Sequence, residues 1–360
     1  MTSRQRLLTA LRCHQPDRVP VSLFLNPYEP DSAYLRDPSY AELMAACREY
    51  EDVFYNSYVP MGFLLTDHPV EVRTRELPNG DVEHRVKTPR GPLTAVYRGG
   101  ARGDVKRWIT EPADVEKWLS LPYVPVAVDH VPLAQARDRL GDQVATQAVM
   151  TDPACCTGWI AEETVALWTL EERGLLREFY DECFRRHVDL VEQVCAGPAD
   201  VVYSNGPEYC IPPLMSPRDF EEFVVHYDTQ LFAIIRERTD KLIVVHSHGQ
   251  VRAFLTRFRD TGLHGLNVLE PPPMGDVILS EAKQLIGDTI CLIGNLQWSE
   301  LMDASPEGVR RLVRDAMEQG KPSGGFILSP TAMPYAFPLL PEHSRNMILY
   351  LQYGREYGAY

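Results

Sequence analysis

Two histidines separated by one residue, His246 and His248, end the aliphatic run "KLIVVHSHG". Alternate side chains of an extended chain share a face, so both imidazoles project the same way. Two neutral imidazoles so placed can ligate one metal ion, and Glu270, which ends the next apolar run, can add an oxygen. Two histidines and a carboxylate with an open position form a ligand set of catalytic zinc and iron sites. Glu208, after the preceding run, is a second acid within reach of the same place. The competing readings are a substrate-binding or hydrogen-bonded core pair for the histidines, and a substrate-contacting or supporting role for Glu208. The expected catalytic set is therefore His246, His248, Glu208 and Glu270, with His246, His248 and Glu270 as metal ligands.

Polar and aromatic residues also follow the other apolar runs. Tyr28, Tyr58 and Tyr209 are candidate pocket walls, with aromatic core packing as the alternative. Asn205, Asn295 and Gln297 are candidates to orient a bound molecule. Cys155 and Cys156 read as buried packing thiols, and Arg73, Arg75, Arg85 and Arg90 as a solvated face.

Such residues need a scaffold that brings the ends of many strands together. Counting from "PVSLFL" (20–25), eight short apolar segments occur, most of them followed by an amphipathic helical stretch. Continuous apolar strands alternating with helices imply an α/β protein with a covered parallel sheet, and eight units imply a (β/α)8 TIM barrel. Chemistry in such a barrel gathers where strands finish. The whole chain, 1–360, reads as one barrel domain. Alternation around "PNGD" and "PRGP" predicts a small N-terminal antiparallel β-hairpin insertion at 68–100. Ser39 and Ser216 are expected helix caps, and the helical stretch from Glu162 should break near Gly174. No G-x-G-x-x-G opens a helix, which disfavours a dinucleotide fold.

Composition sets outer limits. Among 360 residues, 50 acidic against 36 basic give a formal net charge of −14. That balance argues against nucleic acid or an anionic membrane surface as partner. The start "MTSRQRLLTALRCHQPDRVP" has no apolar leader, no window approaches a membrane span, and the eight cysteines contain no C-x-x-C pair. A cytoplasmic location with free thiols is the expectation.

Several stretches carry a family resemblance. "SRQRLLTALRCHQPDRVPV", "TPRGPLT", "ITEPADVEKWLSLPY", "LMSPRDFEEFV", "LIGNLQ" and "GGFILSPTAMP" occur in order from residue 3 to about residue 346. Together they resemble the uroporphyrinogen decarboxylase superfamily, which implies a (β/α)8 barrel. That superfamily holds metal-free porphyrinogen decarboxylases and zinc-dependent methyltransferases that move a methyl group between a corrinoid protein and a thiol. The decarboxylases carry an arginine-rich "RQAGRY"-type segment after the first strand. Here that place reads "FLNPYEPDSAY", with no arginine.

The methyltransferase branch carries H-x-C after the fifth strand and a later cysteine. His246 matches the histidine, His248 stands where the first cysteine would be, and no cysteine follows Cys291. The resemblance therefore implies a methyltransferase-like enzyme acting on a small molecule. It would carry Zn2+ or another divalent transition metal, and a corrinoid only through a partner protein. Imidazoles in place of thiolates leave such an ion more Lewis acidic, which suits an oxygen nucleophile or a polarised carbonyl or ether. The resemblance further implies a homodimer. The alternatives are a decarboxylase or lyase on a small carboxylated substrate, and a binding protein that kept the barrel without its chemistry.

Overall fold

The computed structural model describes residues 1–99 and 103–360. Residue 100, the last of the predicted insertion and part of the 1–360 domain span, lies outside the described residues. Seven strands form one parallel sheet in chain order: β1 (Val53–Tyr58), β6 (Val144–Thr151), β7 (Val201–Asn205), β8 (Leu242–Ser247), β9 (Gly265–Val268), β10 (Cys291–Leu296) and β11 (Phe326–Pro330). Between β1 and β6 a separate antiparallel sheet holds β2 (Val72–Glu76), β3 (Val82–Thr88), β4 (Gly91–Tyr97) and β5 (Asp104–Lys106). The expected insertion is thus a four-stranded sheet. It reaches beyond 100 because Val96 and Tyr97 of β4 also pair with Lys106 and Asp104 of β5.

All seven parallel strands coincide with apolar runs of the sequence. The run "PVSLFL" behaves differently. Val21 bridges Leu328 of β11 in parallel, Ser22 N donates to Leu328 O at 2.9 Å, and Asp52 N donates to Val21 O at 2.8 Å. The segment therefore lies between β11 and the entry to β1 without becoming a regular strand. Pro20 has no N–H to give. The N–H groups of Val21, Leu23 and Phe24 go to side-chain oxygens of Asp52, Glu51 and Ser22 at 3.1, 2.7 and 3.1 Å. Phe24 then turns out of register, with φ at +56°.

Alternation along the strands divides the apolar residues into two bodies. One lies between the sheet and the helices outside it. The other is inside the curl, where Phe54, Ala145, Val201, Leu242, Cys291 and Ile327 meet Leu7, Leu8 and Leu11 of the first helix, Ser3–Leu11. Those strand residues are the first or second of their strands, so the first helix packs under the N-terminal strand ends. Each buried leucine contributes about 1.5–3 kcal/mol. Arg4 fastens the helix, its Nε and Nη2 donating to the two oxygens of Asp200 at 3.0 and 2.7 Å. With the inside of the curl filled at that end, the cavity within it lies at the C-terminal strand ends.

One local expectation needs correction. Ser39 does not cap the helix Ala41–Tyr50. Asp37 caps the preceding 3-10 turn, accepting from Ser39 N at 2.9 Å, because Ser39 Oγ is itself engaged with Asp37 and with Leu339 N. The long helical stretch breaks at 169–172, ahead of Gly174, which sits inside the first turn of the helix Arg173–Ala196. The Ser216 cap is present as a reciprocal capping box with Asp219.

Candidate active site

Register carries the polar residues of the strand ends into one tier. Thr151 pairs with Asn205, Asn205 with His246, and His246 with Asn267 across β6, β7, β8 and β9. Above the apolar filling the curl opens into a cavity of about 310 Å3. Its lining includes Phe24, Asn56, Tyr58, Tyr203, Asn205, His246, His248, Asn267, Thr331 and Met333.

His246 is fixed by two neighbours. Its Nδ1 lies 2.8 Å from Asn267 Oδ1 and 2.8 Å from Tyr203 Oη, and Tyr203 donates to Asn267 Oδ1 at 2.7 Å. Asn267 Nδ2 donates to Ile293 O at 3.1 Å, so the amide is oriented with its oxygen towards the imidazole. An amide oxygen only accepts, which places the His246 proton on Nδ1 and leaves the Nε2 lone pair free. Burial, and next the nearby His248 charge, push the His246 pKa down to about 4. The ring is neutral over the physiological range.

His248 is held in a parallel manner. Its Nδ1 lies 3.0 Å from Glu270 Oε1, while Glu270 Oε2 accepts from Gly249 N at 2.8 Å. The hydrogen bond to Glu270 raises the His248 pKa. Burial alone would raise Glu270, but the His248 hydrogen bond and the Gly249 N–H outweigh it and hold the carboxyl below its ordinary value. The two rings stand edge to face with centroids 4.7 Å apart. Glu208, in the 3-10 turn Pro207–Cys210, leaves Oε2 buried with no hydrogen-bond partner, and burial raises its pKa.

Among the described residues, no three His, Cys, Asp or Glu side chains are gathered as for a metal ion. The fit to an ion rests instead on the donor chemistry. Both imidazoles have Nδ1 occupied by an acceptor and Nε2 spare, the arrangement that orients histidine ligands.

The other expected residues divide. Tyr58 and Asn205 line the cavity, Tyr58 at its rim with 71% of its surface exposed. Tyr28, Tyr209, Asn295 and Gln297 lie outside the lining. Tyr28 packs against the outer apolar body, where its carbonyl accepts from Arg139. Tyr209 lies against Gly158, and Asn295 Nδ2 is spent on Leu269 O at 3.2 Å. Gln297 is buried at the start of the helix Trp298–Asp303. Sequence reasoning missed Tyr203 and Asn267, although both carried a signal. Tyr203 precedes Asn205 by two residues and so shares its face, and Asn267 is the one polar side chain within "GLNV". Phe24 carried none, since its place depends on a positive φ.

Comparison with known proteins adds the following. The model of the uroporphyrinogen decarboxylase (URO-D) family matches residues 96–339. The methylcobamide:CoM methyltransferase MtaA of Methanosarcina barkeri is 27% identical over 186 residues, 51% of this chain and 51% of that protein. The same enzyme from the Fusaro strain matches to the same extent. The alignment thus spans about half the length of these relatives. Among solved structures, a methyltransferase from Methanosarcina mazei has a similar fold, with a TM-score of 0.66, 19% identity and 99% of each chain covered.

Proposed function

The chain belongs to the uroporphyrinogen decarboxylase (URO-D) family, and from that footing we propose that it is a metal-dependent methyltransferase acting on a small molecule, with a corrinoid protein as methyl donor or acceptor. The observation that carries the reading is the pair of adjoining imidazoles, each held by Nδ1 with Nε2 spare, beside a cavity at the strand ends. The methylcobamide:CoM methyltransferase relatives support the reaction class.

In this reading the segment 20–23 is the eighth stave of a closed (β/α)8 barrel, supported by its hydrogen bonds to Leu328 and Asp52. His246 and His248 would hold a Zn2+ or another divalent ion through Nε2. Glu270, facing His248 Nδ1, would orient that ring rather than touch an ion held on Nε2, so the remaining positions on the ion would be open to substrate or water. When bound, the ion would supply Lewis acidity to an oxygen nucleophile or to a carbonyl or ether oxygen.

The chain's own residues do the rest. Tyr203 and Asn267 keep His246 in one tautomer. Glu208 stands behind His248 as a second acid. Tyr58 and Asn205 bound the substrate, and the apolar body below them excludes water. The exposed Tyr58 and Met333 at the rim, continued by Tyr335 and Phe337, offer a face on which a corrinoid protein can dock. No helix among the described residues is long and apolar enough to cross a membrane. A cytoplasmic homodimer is part of the same proposal, and light scattering at twice the chain mass tests its assembly.

The test of the reaction uses purified protein with methylcobalamin as the methyl donor. About one transition-metal ion per chain, lost in His246→Ala and His248→Ala, together with metal-dependent demethylation of the cobalamin, is the expected result. Protein that takes up no metal and leaves methylcobalamin unchanged with every acceptor offered would overturn it.

A further inference from the structure

A groove of about 580 Å3 lies against the N-terminal strand ends, and its lining includes Arg12, Arg236, Asp240, Lys241 and His264. Leu242 also lines it, four residues before His246 and so about 13 Å away along β8. Arg12 caps the C-terminal end of the first helix, and Arg236 stands in the last turn of the helix His226–Arg238. Lys241 leads into β8 and His264 into β9. Four segments distant in sequence therefore bring their basic side chains to one place.

The chain has more acidic than basic residues, yet these three cations are held by backbone carbonyls alone among the described residues. Arg12 Nη1 donates to Leu8 O at 3.3 Å, and Arg236 Nη1 donates to Thr261 O and Gly262 O, both at 2.9 Å. Lys241 Nζ donates to Gly197 O and Ala199 O at 2.7 and 3.1 Å. A carbonyl oxygen satisfies an N–H group without cancelling the charge behind it. Asp200, the nearest acid beyond the groove lining, is taken by Arg4 at 2.7 and 3.0 Å and by the Thr146 N–H at 3.0 Å. Asp240 is the carboxylate of the lining. Set against Arg12, Arg236 and Lys241, it leaves two positive charges uncompensated.

His264 adds a neutral donor. Ile243 N donates to its Nδ1 at 3.0 Å, which places the ring proton on Nε2. Burial first, and then the charges of Arg236 and Arg12, lower the pKa of this ring, so both guanidiniums act on it. Guanidinium forks match the oxygens of a phosphate group, and an ammonium adds a point charge.

We propose that this groove binds a phosphate dianion, free or as the head of a small phosphomonoester, through Arg12, Arg236, Lys241 and the Nε2–H of His264. Bound there, the anion joins the end of the first helix to the entries of β8 and β9. Neither the imidazole pair nor the methyl-transfer reading enters into the proposal, so the failure of either leaves the other standing.

Titration calorimetry on the whole protein tests it at constant ionic strength and at about pH 8, where phosphate and its monoesters are doubly charged. Inorganic phosphate and glycerol 3-phosphate should bind saturably, and the tighter of the two is the form the groove takes. Dimethyl phosphate carries one charge, as the diesters of nucleic acids and phospholipids do, and should bind at least about tenfold weaker. Arg12→Gln, at an exposed position, should weaken the dianion by about tenfold or more. Asp240→Asn removes the like charge of the lining and should tighten the dianion several-fold, an outcome that misfolding does not produce. No saturable binding of either dianion, equal binding of dimethyl phosphate, or unchanged affinity in both variants would overturn the proposal.

Discussion

Tyr203 on β7 and Asn267 on β9 are joined by a hydrogen bond of 2.7 Å that passes over the intervening strand, and the atom they both reach is Nδ1 of His246 on that strand. Three neighbouring strands thus fix one proton. The tautomer of His246 is a consequence of tertiary structure, since no residue of its own strand contributes.

On the proposed metal-binding reading, the affinity of the site would depend on residues that do not touch the ion. Asn267→Leu and Tyr203→Phe should each lower the affinity for Zn2+ by about 10–100-fold, the usual cost of removing a group that orients a histidine ligand. Competition against a chelating dye measures it. A loss of thermal stability with unchanged affinity would reduce the trio to a structural role.

At the opposite end of the curl, Asp52 is 1% exposed and receives Arg6 Nη1 at 2.6 Å, Arg18 Nη1 at 2.7 Å and the N–H of Val21 at 3.1 Å. It ties the first helix, the segment at 20–23 and the entry to β1 together. Removing one partner of a buried ion pair leaves an uncompensated charge, at a cost of about 3–5 kcal/mol. Asp52→Ala should lose about that much in urea unfolding, although Asp17 still holds Arg6 through Nε at 2.7 Å. A loss within about 0.5 kcal/mol, the range of ordinary surface changes, would show that the junction does not need the carboxylate.

Gly206 precedes Pro207 and Glu208 with φ at +150°, and a Cβ there would lie 2.0 Å from Asp152 Oδ1 and 2.6 Å from Cys155 N. Both the conformation and the space exclude a side chain. Gly206→Ala should cost about 2 kcal/mol or more, the sum of backbone strain and overpacking. Thermal unfolding reads the loss.

Much of this was legible in the residues. Most strands of the parallel sheet open on a run of Val, Ile, Leu or their like, because a strand covered on both faces has little polar surface to show. The His246 and His248 pair was legible for the same reason: two ionisable groups at the end of an aliphatic run stand out. What was hidden depended on contacts between segments distant in sequence. Glu270 looked like a ligand, and only the fold shows both its oxygens engaged, with His248 and with Gly249 N. Asn295 and Gln297 sit at a strand end like Asn205, and Asn295 and Asn205 both give Nδ2 to a neighbouring carbonyl at 3.2 Å, yet of the three only Asn205 lines the cavity. The segment 20–25 has strand composition, but Asp52 and Glu51 take the N–H groups that a strand would have given its neighbour. Local pattern determined which segments are strands; side-chain acceptors elsewhere determined how one of them is used.

Glu51 supplies a pH dependence with a definite sign. It is buried, accepts from Leu23 N at 2.7 Å and Ser22 Oγ at 3.1 Å, and leaves Oε2 without a partner. The groups around it are the Cys47 thiol, Asp52 and Tyr350, none of them cationic. Burial, with the Asp52 charge as a lesser contribution, raises its pKa from 4.5 to about 8. Between those values the folded chain keeps a proton that the unfolded chain has released, so each rise in pH favours unfolding. The stabilisation is complete below the unfolded value, is lost across this window and stays lost above the folded value. The loss is on the order of a few kcal/mol. Glu51→Gln keeps an acceptor for Leu23 and Ser22 but has no proton to lose. Its unfolding free energy should vary less with pH than that of the unaltered chain between about pH 5 and pH 8, and should exceed it at the upper end. Urea titrations across that range measure both curves. Parallel curves would place a charged, solvated carboxylate at this position and contradict the buried geometry.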